Sequence, residues 1–334
     1  VVVGYGRWGR CCHCQLIGST PGLELYGVVS RDPEKRQQAA SAHGCSTFAE
    51  FHEVLHDDKV DLVVLATPNS THAELAVRAL EHGKHVLTDK VMCLNIGECD
   101  RMISAAERNN RLLTVFQNRR FDGDFTTVRS LIDAGELGDV RWIEMAWQGF
   151  GAWRGWRGRS DMGGGKIYDL GVHMVDQLLV LFPEDVDSVY CRTHYDFPDC
   201  EVESEGLIVV TFEGGRTGVV DVSSLAAVKK PRFYVRGMKG TFVKTGLDPQ
   251  EKAMMEGDID AAREPEEHYG TLKTADSERP VPTQAGRWRA FFENLGEALA
   301  GRAEPVVTLA QARRVIAVLD AAKRSALTKE VVRV

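Results

Sequence analysis

An excess of positive charge is missing from this chain: 41 Lys and Arg stand against 48 Asp and Glu in 334 residues, a net charge of -7. With a pI near 5.9, neither nucleic acid nor an anionic membrane is expected as the main partner, because both demand a basic footprint. Long hydrophobic stretches are missing too, and nothing approaches the ~18 apolar residues of a membrane span. No basic segment followed by an apolar one opens the sequence, so no signal peptide is expected. There are no internal repeats and no low-complexity tracts. Cysteine, by contrast, is plentiful, with eight residues. Disulfide frameworks of that size belong to secreted chains under ~100 residues, so reduced thiols in a cytoplasmic protein are the better expectation. Cys11-Cys12-His13-Cys14 invites a zinc ion, but contiguous ligands cannot easily close a tetrahedron on one helix. No metal is expected, and these cysteines read as small buried helix residues.

What remains is ordinary globular composition, 43% hydrophobic and 27% charged. The length allows about two domains of about 150 residues. Up to residue 118, short apolar runs alternate with helical periodicity. Strands are predicted at Val1–Val3, Leu23–Val29, Val60–Thr67, Lys84–Thr88 and Leu112–Phe116. Helices are predicted at Trp8–Ile17, Pro33–His43, Ala73–His82 and Glu98–Asn109. That alternation implies βαβ units and a doubly wound parallel sheet, with ligands outside the carboxyl ends of its strands.

From residue 119 to 334 the pattern changes to consecutive strands, predicted at Val140–Trp147, Leu207–Phe212, Gly218–Ser223, Arg232–Val235 and Thr241–Lys244. Glu213-Gly214-Gly215 is the clearest hairpin turn among them. The fold class is therefore α/β: an N-terminal Rossmann domain, then an α/β domain on an open, mostly antiparallel sheet. Helices are expected at Phe125–Ala134, Lys166–Phe182, Trp288–Leu299 and Leu309–Ala326, the last two free to pack back on the first domain. The acidic, weakly periodic segment Asp248–Pro282 reads as a surface excursion.

Gly4-Tyr5-Gly6-Arg7-Trp8-Gly9 follows a strand and opens a helix. Gly4 permits the tight turn, Gly6 lets backbone approach a pyrophosphate, and Gly9 allows close packing of helix on strand. The helix N-terminus supplies N–H groups and positive potential to phosphate. At the end of the second strand, where NAD enzymes place an acid for the ribose 2′-OH, stand Ser30 and Arg31, with Asp32 one step later. A hydroxyl followed by a cation suits a 2′-phosphate, so NADP is favoured over NAD.

On a helix from Lys166, five polar residues share roughly one 100° stripe: Lys166, Asp169, His173, Asp176 and Gln177. The other faces are apolar, so the helix is buried and its stripe lines a cavity or carries a desolvation cost. Gly163-Gly164-Gly165 ahead of it would let backbone come close to a ligand. Lys90 follows the strand His85-Val86-Leu87-Thr88, at the end of the sheet where a nicotinamide would lie. Arg119, Arg120 and the cluster Trp153-Arg154-Gly155-Trp156-Arg157 add cationic and aromatic surface suited to a polyhydroxylated or anionic ligand.

These residues resemble the Gfo/Idh/MocA oxidoreductases over nearly the whole chain. The resemblance rests on the glycine motif, on Ala66-Thr67-Pro68-Asn69 with His72, and on Gly83-Lys84-His85-Val86 leading into Lys90. It continues through Asn118-Arg119-Arg120-Phe121 and the glycine triplet before Asp169-Leu170-Gly171-Val172-His173. Trp156-Arg157, Asp176-Gln177 and Pro231-Arg232-Phe233 through Gly246-Leu247-Asp248 are similar to the NADP-linked scyllo-inositol dehydrogenase branch. The resemblance implies a catalytic set of Lys90, Asp169 and His173, and a cofactor site drawing on Thr67, Pro68, Asn69, His72 and Lys90 besides the glycine turn. Substrate would meet Arg119, Arg120, Trp156, Arg157, Lys166, Asp169 and His173. A homodimer or homotetramer formed through the open sheet is also implied. Asp89-Lys90-Val91 departs from the family's Glu-Lys-Pro, which takes one restraint from the backbone at Lys90.

The expected reaction is hydride exchange between nicotinamide and a secondary alcohol or ketone of a cyclic polyol or sugar. His173 would act as base, Lys90 would bond the reacting oxygen, and Asp169 would hold substrate or imidazole in register. Two other readings remain open at this stage: NAD-dependent glycoside cleavage through transient C3 oxidation, and a non-catalytic nucleotide-sensing regulator.

Overall fold

The computed structural model describes all residues from Val1 to Val334 and divides them into two compact units. The first comprises 1–117 with 288–313, and the second 118–287 with 314–334. No helix is long and apolar enough to cross a membrane.

In the first unit, strands β1 (Val2–Val3), β2 (Gly27–Val29), β3 (Ser46–Phe48), β4 (Leu62–Leu65), β5 (His85–Thr88) and β6 (Leu113–Val115) form a six-stranded sheet. Its order is β3-β2-β1-β4-β5-β6 and every pairing is parallel. The central strands are Val- and Leu-rich on both faces because helices cover both. After β1 the chain winds a π-helical turn, Gly9–Cys14, that runs into α1 (Gln15–Gly18). The crossovers that follow are α2 (Pro33–His43), α3 (Phe51–Leu55), α4 (His72–Glu81) and α5 (Ile96–Arg108). The limits of α2 follow from its sequence: Asp32 caps it, Pro33 starts it, and Gly44 ends it in the left-handed region. The returning segment adds Trp288, which packs on Trp8 with ring centroids 6.0 Å apart. It also adds Phe291 and Phe292, which pack on Phe116.

The second unit opens with α6 (Gly123–Asp133) and β7 (Val140–Gln148), and its main helix is α7 (Val172–Leu181). Then come β8 (Val186–His194), β9 (Glu205–Phe212), β10 (Thr217–Ser223), β11 (Phe233–Gly237) and β12 (Gly240–Lys244). After α8 (Gln250–Met255), β13 (Gly270–Thr274) and β14 (Glu278–Val281) complete one edge of the sheet. Beyond them lie α9 (Arg289–Leu299), which belongs to the first unit, α10 (Leu309–Thr328) and β15 (Val332–Arg333). The nine strands run in the order β14-β13-β12-β11-β7-β10-β9-β8-β15. All pairs are antiparallel except β7 with β10.

Helix α7 is buried against this sheet. A Cβ at Gly218 of β10 would lie 2.1 Å from Leu178, so the strand gives up a side chain to admit the helix. Asp248–Pro282 is not the irregular excursion that its composition suggests. It folds into α8 and the last two strands at one end of the sheet, because Leu272 and Val281 are buried while charged neighbours face water. Strands β3 and β8 and helix α3 also escape the sequence pattern. They are short, or carry mixed polar residues where an alternating strand would be apolar.

The second unit buries several charged side chains, among them Arg119, Asp124, Asp176 and Arg232. Arg120 donates two hydrogen bonds to Asp176 of α7, at 2.8 and 2.6 Å. Removing one partner leaves a buried charge without its counter-ion. Arg120→Ala is therefore expected to cost about 3–5 kcal/mol of stability, measured by urea unfolding at fixed pH.

Candidate active site

The glycine turn of the first unit has the shape a dinucleotide needs. Gly4 adopts φ +102°, and a Cβ there would lie 2.5 Å from the Ala66 carbonyl oxygen. A Cβ at Gly9 would lie 2.2 Å from the Gly4 oxygen, so only hydrogen lets the helix start this close to the strand. Gly6 differs, with no atom within 4 Å of a Cβ position. That open space over a helix start is where a pyrophosphate approaches backbone. The turn is braced from inside: the Tyr5 hydroxyl meets His43 Nε2 at 3.0 Å, and Trp8 packs on Trp288. Arg7 is exposed.

Beyond β2, the Asp32 carboxylate accepts from the N–H groups of Glu34 and Lys35 at 3.0 and 3.4 Å. It is used as the cap of α2. Ser30 Oγ accepts from the Asp32 N–H at 3.3 Å, and Arg36 donates to the Ser30 and Arg31 carbonyls at 2.7 and 3.0 Å. The Arg31 side chain reaches into solvent. The edge after β2 thus presents a hydroxyl and guanidinium groups, while its nearest carboxylate is engaged with backbone.

After β4, the Thr67 and Thr71 hydroxyls meet at 2.7 Å, Thr71 donates to the Pro68 carbonyl, and Asn69 is buried. His72 is wholly buried. Its Nδ1 meets the Val91 carbonyl at 2.8 Å and its Nε2 the Thr67 carbonyl at 3.1 Å, so it braces two loops from within. Burial pushes its pKa down, against those carbonyls and Asp89. The Lys90–Val91 peptide is cis. The loss of proline has not left this loop loose: Val91 is buried with its carbonyl on His72, and the Lys90 N–H donates to Asp89 Oδ1 at 2.8 Å.

In the second unit, the predicted helix from Lys166 begins as a π-turn, Ile167–Gly171, and continues as α7. Two of the three glycines ahead of it, Gly164 and Gly165, are required by internal packing. A Cβ at Gly164 would lie 2.4 Å from the Arg157 carbonyl oxygen, and one at Gly165 would lie 2.7 Å from the Glu203 carboxylate. Glu203 earns that position by accepting from the Ile167 N–H at 2.7 Å at the helix start.

The polar stripe divides in two. Asp176 is bound to Arg120. Gln177 donates to the Arg119 carbonyl at 2.7 Å and accepts from Arg232 at 2.6 Å, so these two knit the interior. Lys166, Asp169 and His173 are also buried but meet rings and a half-exposed cation. The Lys166 ammonium lies 4.3 Å from the Trp153 ring centre, and burial pushes its pKa down against Asp169 and Glu203. Asp169 Oδ2 accepts from Arg157 Nε at 3.0 Å, and Arg157 lies over Trp156 at 4.7 Å. The His173 ring stacks on Trp147, centroids 6.1 Å apart and planes inclined 26°.

Arg119 is buried between Asp122 and Glu251, with its guanidinium 4.7 Å from the Trp147 ring centre; Arg232 flanks the same ring at 5.5 Å. Sequence reasoning placed both NRRF arginines against substrate, whereas the contacts seen here are with carboxylates and an aromatic ring. Trp147 and Glu203 were missed: each is a lone residue whose importance arises from the fold. Also missed was His52-Glu53 with His56, an H-E-x-x-H spacing that on a long helix would suggest zinc. Here it falls on the five-residue α3, Glu53 closes a capping box with Glu50, and His56 packs on His82. No cluster capable of holding a metal ion forms.

A parallel sheet in Rossmann order with this glycine turn, joined to a second unit bearing a buried imidazole, carboxylate and ammonium, defines an NAD(P)-binding oxidoreductase. Residues 1–117 match the oxidoreductase family with NAD-binding Rossmann fold, and residues 125–243 match the GFO/IDH/MocA C-terminal domain. An uncharacterised Escherichia coli oxidoreductase, YdgJ, is 32% identical over 97% of this chain and 95% of its own. The scyllo-inositol 2-dehydrogenase (NADP+) IolW of Bacillus subtilis is 27% identical over 99% and 94%. A solved Klebsiella pneumoniae structure, assigned as an oxidoreductase, superposes with a TM-score of 0.89 at 33% identity, over 100% of this chain and 94% of that one. The chain belongs to the Gfo/Idh/MocA oxidoreductase family.

Proposed function

We propose that this enzyme is an NADP-preferring dehydrogenase or reductase for a ring secondary alcohol of a cyclic polyol, with scyllo-inositol as the first substrate to test. The observation that carries the reading is the environment of the helix from Lys166. Three ionisable groups sit on a buried helix among Trp147, Trp153 and Trp156, a surface that suits the C–H faces of a sugar ring. The B. subtilis relative that acts on scyllo-inositol with NADP+ supports the same substrate class.

The glycine turn, Ser30 and Arg31 would hold the dinucleotide, with Thr67, Pro68, Asn69 and Lys90 along the strand ends. Bound there, the nicotinamide supplies or accepts the hydride. His173 takes the hydroxyl proton in the oxidative direction. Lys90 donates a hydrogen bond to the same oxygen as negative charge grows on it. Asp169, held by Arg157, orients substrate hydroxyls and the imidazole. Such general-base assistance contributes about 10²–10⁴-fold.

The NADP preference rests on Asp32 being used as a helix cap beside an exposed Arg31. A charge-assisted contact to a 2′-phosphate is worth about 1.5–3 kcal/mol. Arg31→Ala is therefore expected to raise the KM for NADP about 10–100-fold and leave that for NAD nearly unchanged.

The test of the function is a screen of inositols, aldoses and aryl glycosides with each cofactor, following reduced nicotinamide. Reduction of NADP by an inositol supports the reading. Aglycone release without reduced nicotinamide would instead identify glycoside cleavage, and tight NADP binding with a silent screen would point to a sensor.

A further inference from the structure

Lys90 is held in an arrangement that its own sequence motif does not explain. Asp89 precedes it at the carboxyl end of β5 and is almost completely buried. One carboxylate oxygen accepts the Lys90 N–H at 2.8 Å, and the other lies 3.5 Å from His13 Nε2. Burial pushes this carboxyl up, but His13, the Lys90 ammonium and the Lys90 N–H outweigh it and hold the group below the usual carboxylate range. A buried carboxylate that stays ionised requires a partner, since it has given up its hydration.

His13 is that partner. It sits in the π-turn that follows the glycine motif and is wholly inaccessible to solvent. Phe116 and Phe292 fix the ring, with centroids 4.8 and 6.1 Å away. Neither ring nitrogen completes a hydrogen bond; Nε2 has the Asp89 carboxylate at 3.5 Å, and the buried His72 acts on the ring at longer range. A buried histidine kept for one contact calls for a reason beyond packing, because a leucine would fill the space without stranding a nitrogen. On the other side of the loop, His72 holds the Val91 carbonyl. Two buried imidazoles thus bracket Asp89-Lys90-Val91.

We propose that His13 is a positioning residue for Lys90: it fixes the Asp89 carboxylate, which in turn fixes the backbone from which the Lys90 ammonium extends. The same ring ties the helix that begins at the glycine turn to the Lys90 loop, so both are set by one packing arrangement. The inference rests on Lys90 acting at the reacting oxygen, as proposed above.

The test compares three variants of the full-length protein. His13→Phe keeps the ring volume and removes the nitrogen. His13→Gln places an amide N–H near the position of Nε2. Lys90→Met removes the ammonium. The first readout needs no substrate: hydrogen–deuterium exchange of a peptide containing the Lys90 amide. His13→Phe is expected to raise its exchange roughly 10-fold or more, His13→Gln to restore it, and peptides covering β4 to stay unchanged. The second readout is turnover with NADP+ and scyllo-inositol. Here His13→Phe is expected to lower kcat about 10–100-fold with KM for NADP within about 2-fold, the result of a misplaced group rather than a lost binding site.

Unchanged exchange in His13→Phe, or His13→Gln behaving no better than Phe, overturns the proposal. Should His13→Phe not accumulate as folded protein, His13→Asn replaces it, its shorter amide falling short of Asp89. Full turnover by Lys90→Met, with exchange behaving as expected in the His13 variants, would instead overturn the role given to Lys90 and leave the loop bracket standing.

Discussion

His173→Asn is expected to lower kcat for polyol oxidation by about 10²–10⁴-fold while the dissociation constant for NADPH stays within about 2-fold. The substitution keeps a polar side chain on the buried face of α7, so the helix loses little packing. What disappears is the only group among Lys166, Asp169 and His173 that ordinarily changes protonation near neutral pH. Asp169 cannot substitute: its carboxylate is in ion-pair contact with Arg157 and is a far weaker base than imidazole. Stacking against Trp147 holds the ring plane, so the loss should fall on kcat, with KM for substrate changing much less. Nucleotide affinity, measured by fluorescence titration, separates this outcome from general misfolding.

Lys90→Met is expected to be nearly as damaging, by about 10²–10³-fold in kcat, the typical effect of removing one donor from a developing oxyanion. Methionine matches the length of the lysine stem and keeps its apolar contacts, so the variant tests charge rather than shape. Asp89 would lose the Lys90 ammonium but keep His13 and the residue 90 amide beside it, so the fold should survive. Lys90→Arg is not expected to rescue activity, because a broad guanidinium cannot take the place of a compact ammonium donor at a single oxygen. Steady-state kinetics over a range of polyol concentrations would separate this loss of kcat from weaker binding.

Much of the fold could be read from periodicity. The limits of α2 come directly from Asp32, Pro33 and Gly44, whose cap chemistry is local. The buried strand β4 announces itself as an apolar run. By contrast, β13 and β14 look like loop because half of their residues face solvent at the sheet edge, and only Leu272 and Val281 carry the pattern. The polar stripe of the Lys166 helix was legible, but its division was not. Asp176 and Gln177 share a face with His173 and differ from it only in having Arg120, Arg119 and Arg232 as neighbours, contacts between residues more than fifty positions apart. The role of His13 was not legible, since nothing in sequence says that Asp89 lies opposite it.

Deuterium transfer is the most direct measurement of whether this chain performs redox chemistry on a polyol through His173 and Lys90. NADP-loaded protein is mixed with scyllo-inositol deuterated at its carbinol carbons, and the nicotinamide is analysed by NMR. Label at C4 of the reduced ring in the wild type, and its loss in both His173→Asn and Lys90→Met while both still bind NADP, is the expected result. Label appearing at wild-type rates in both variants would contradict the roles given to these residues, and no label from any cyclic polyol would contradict the substrate class.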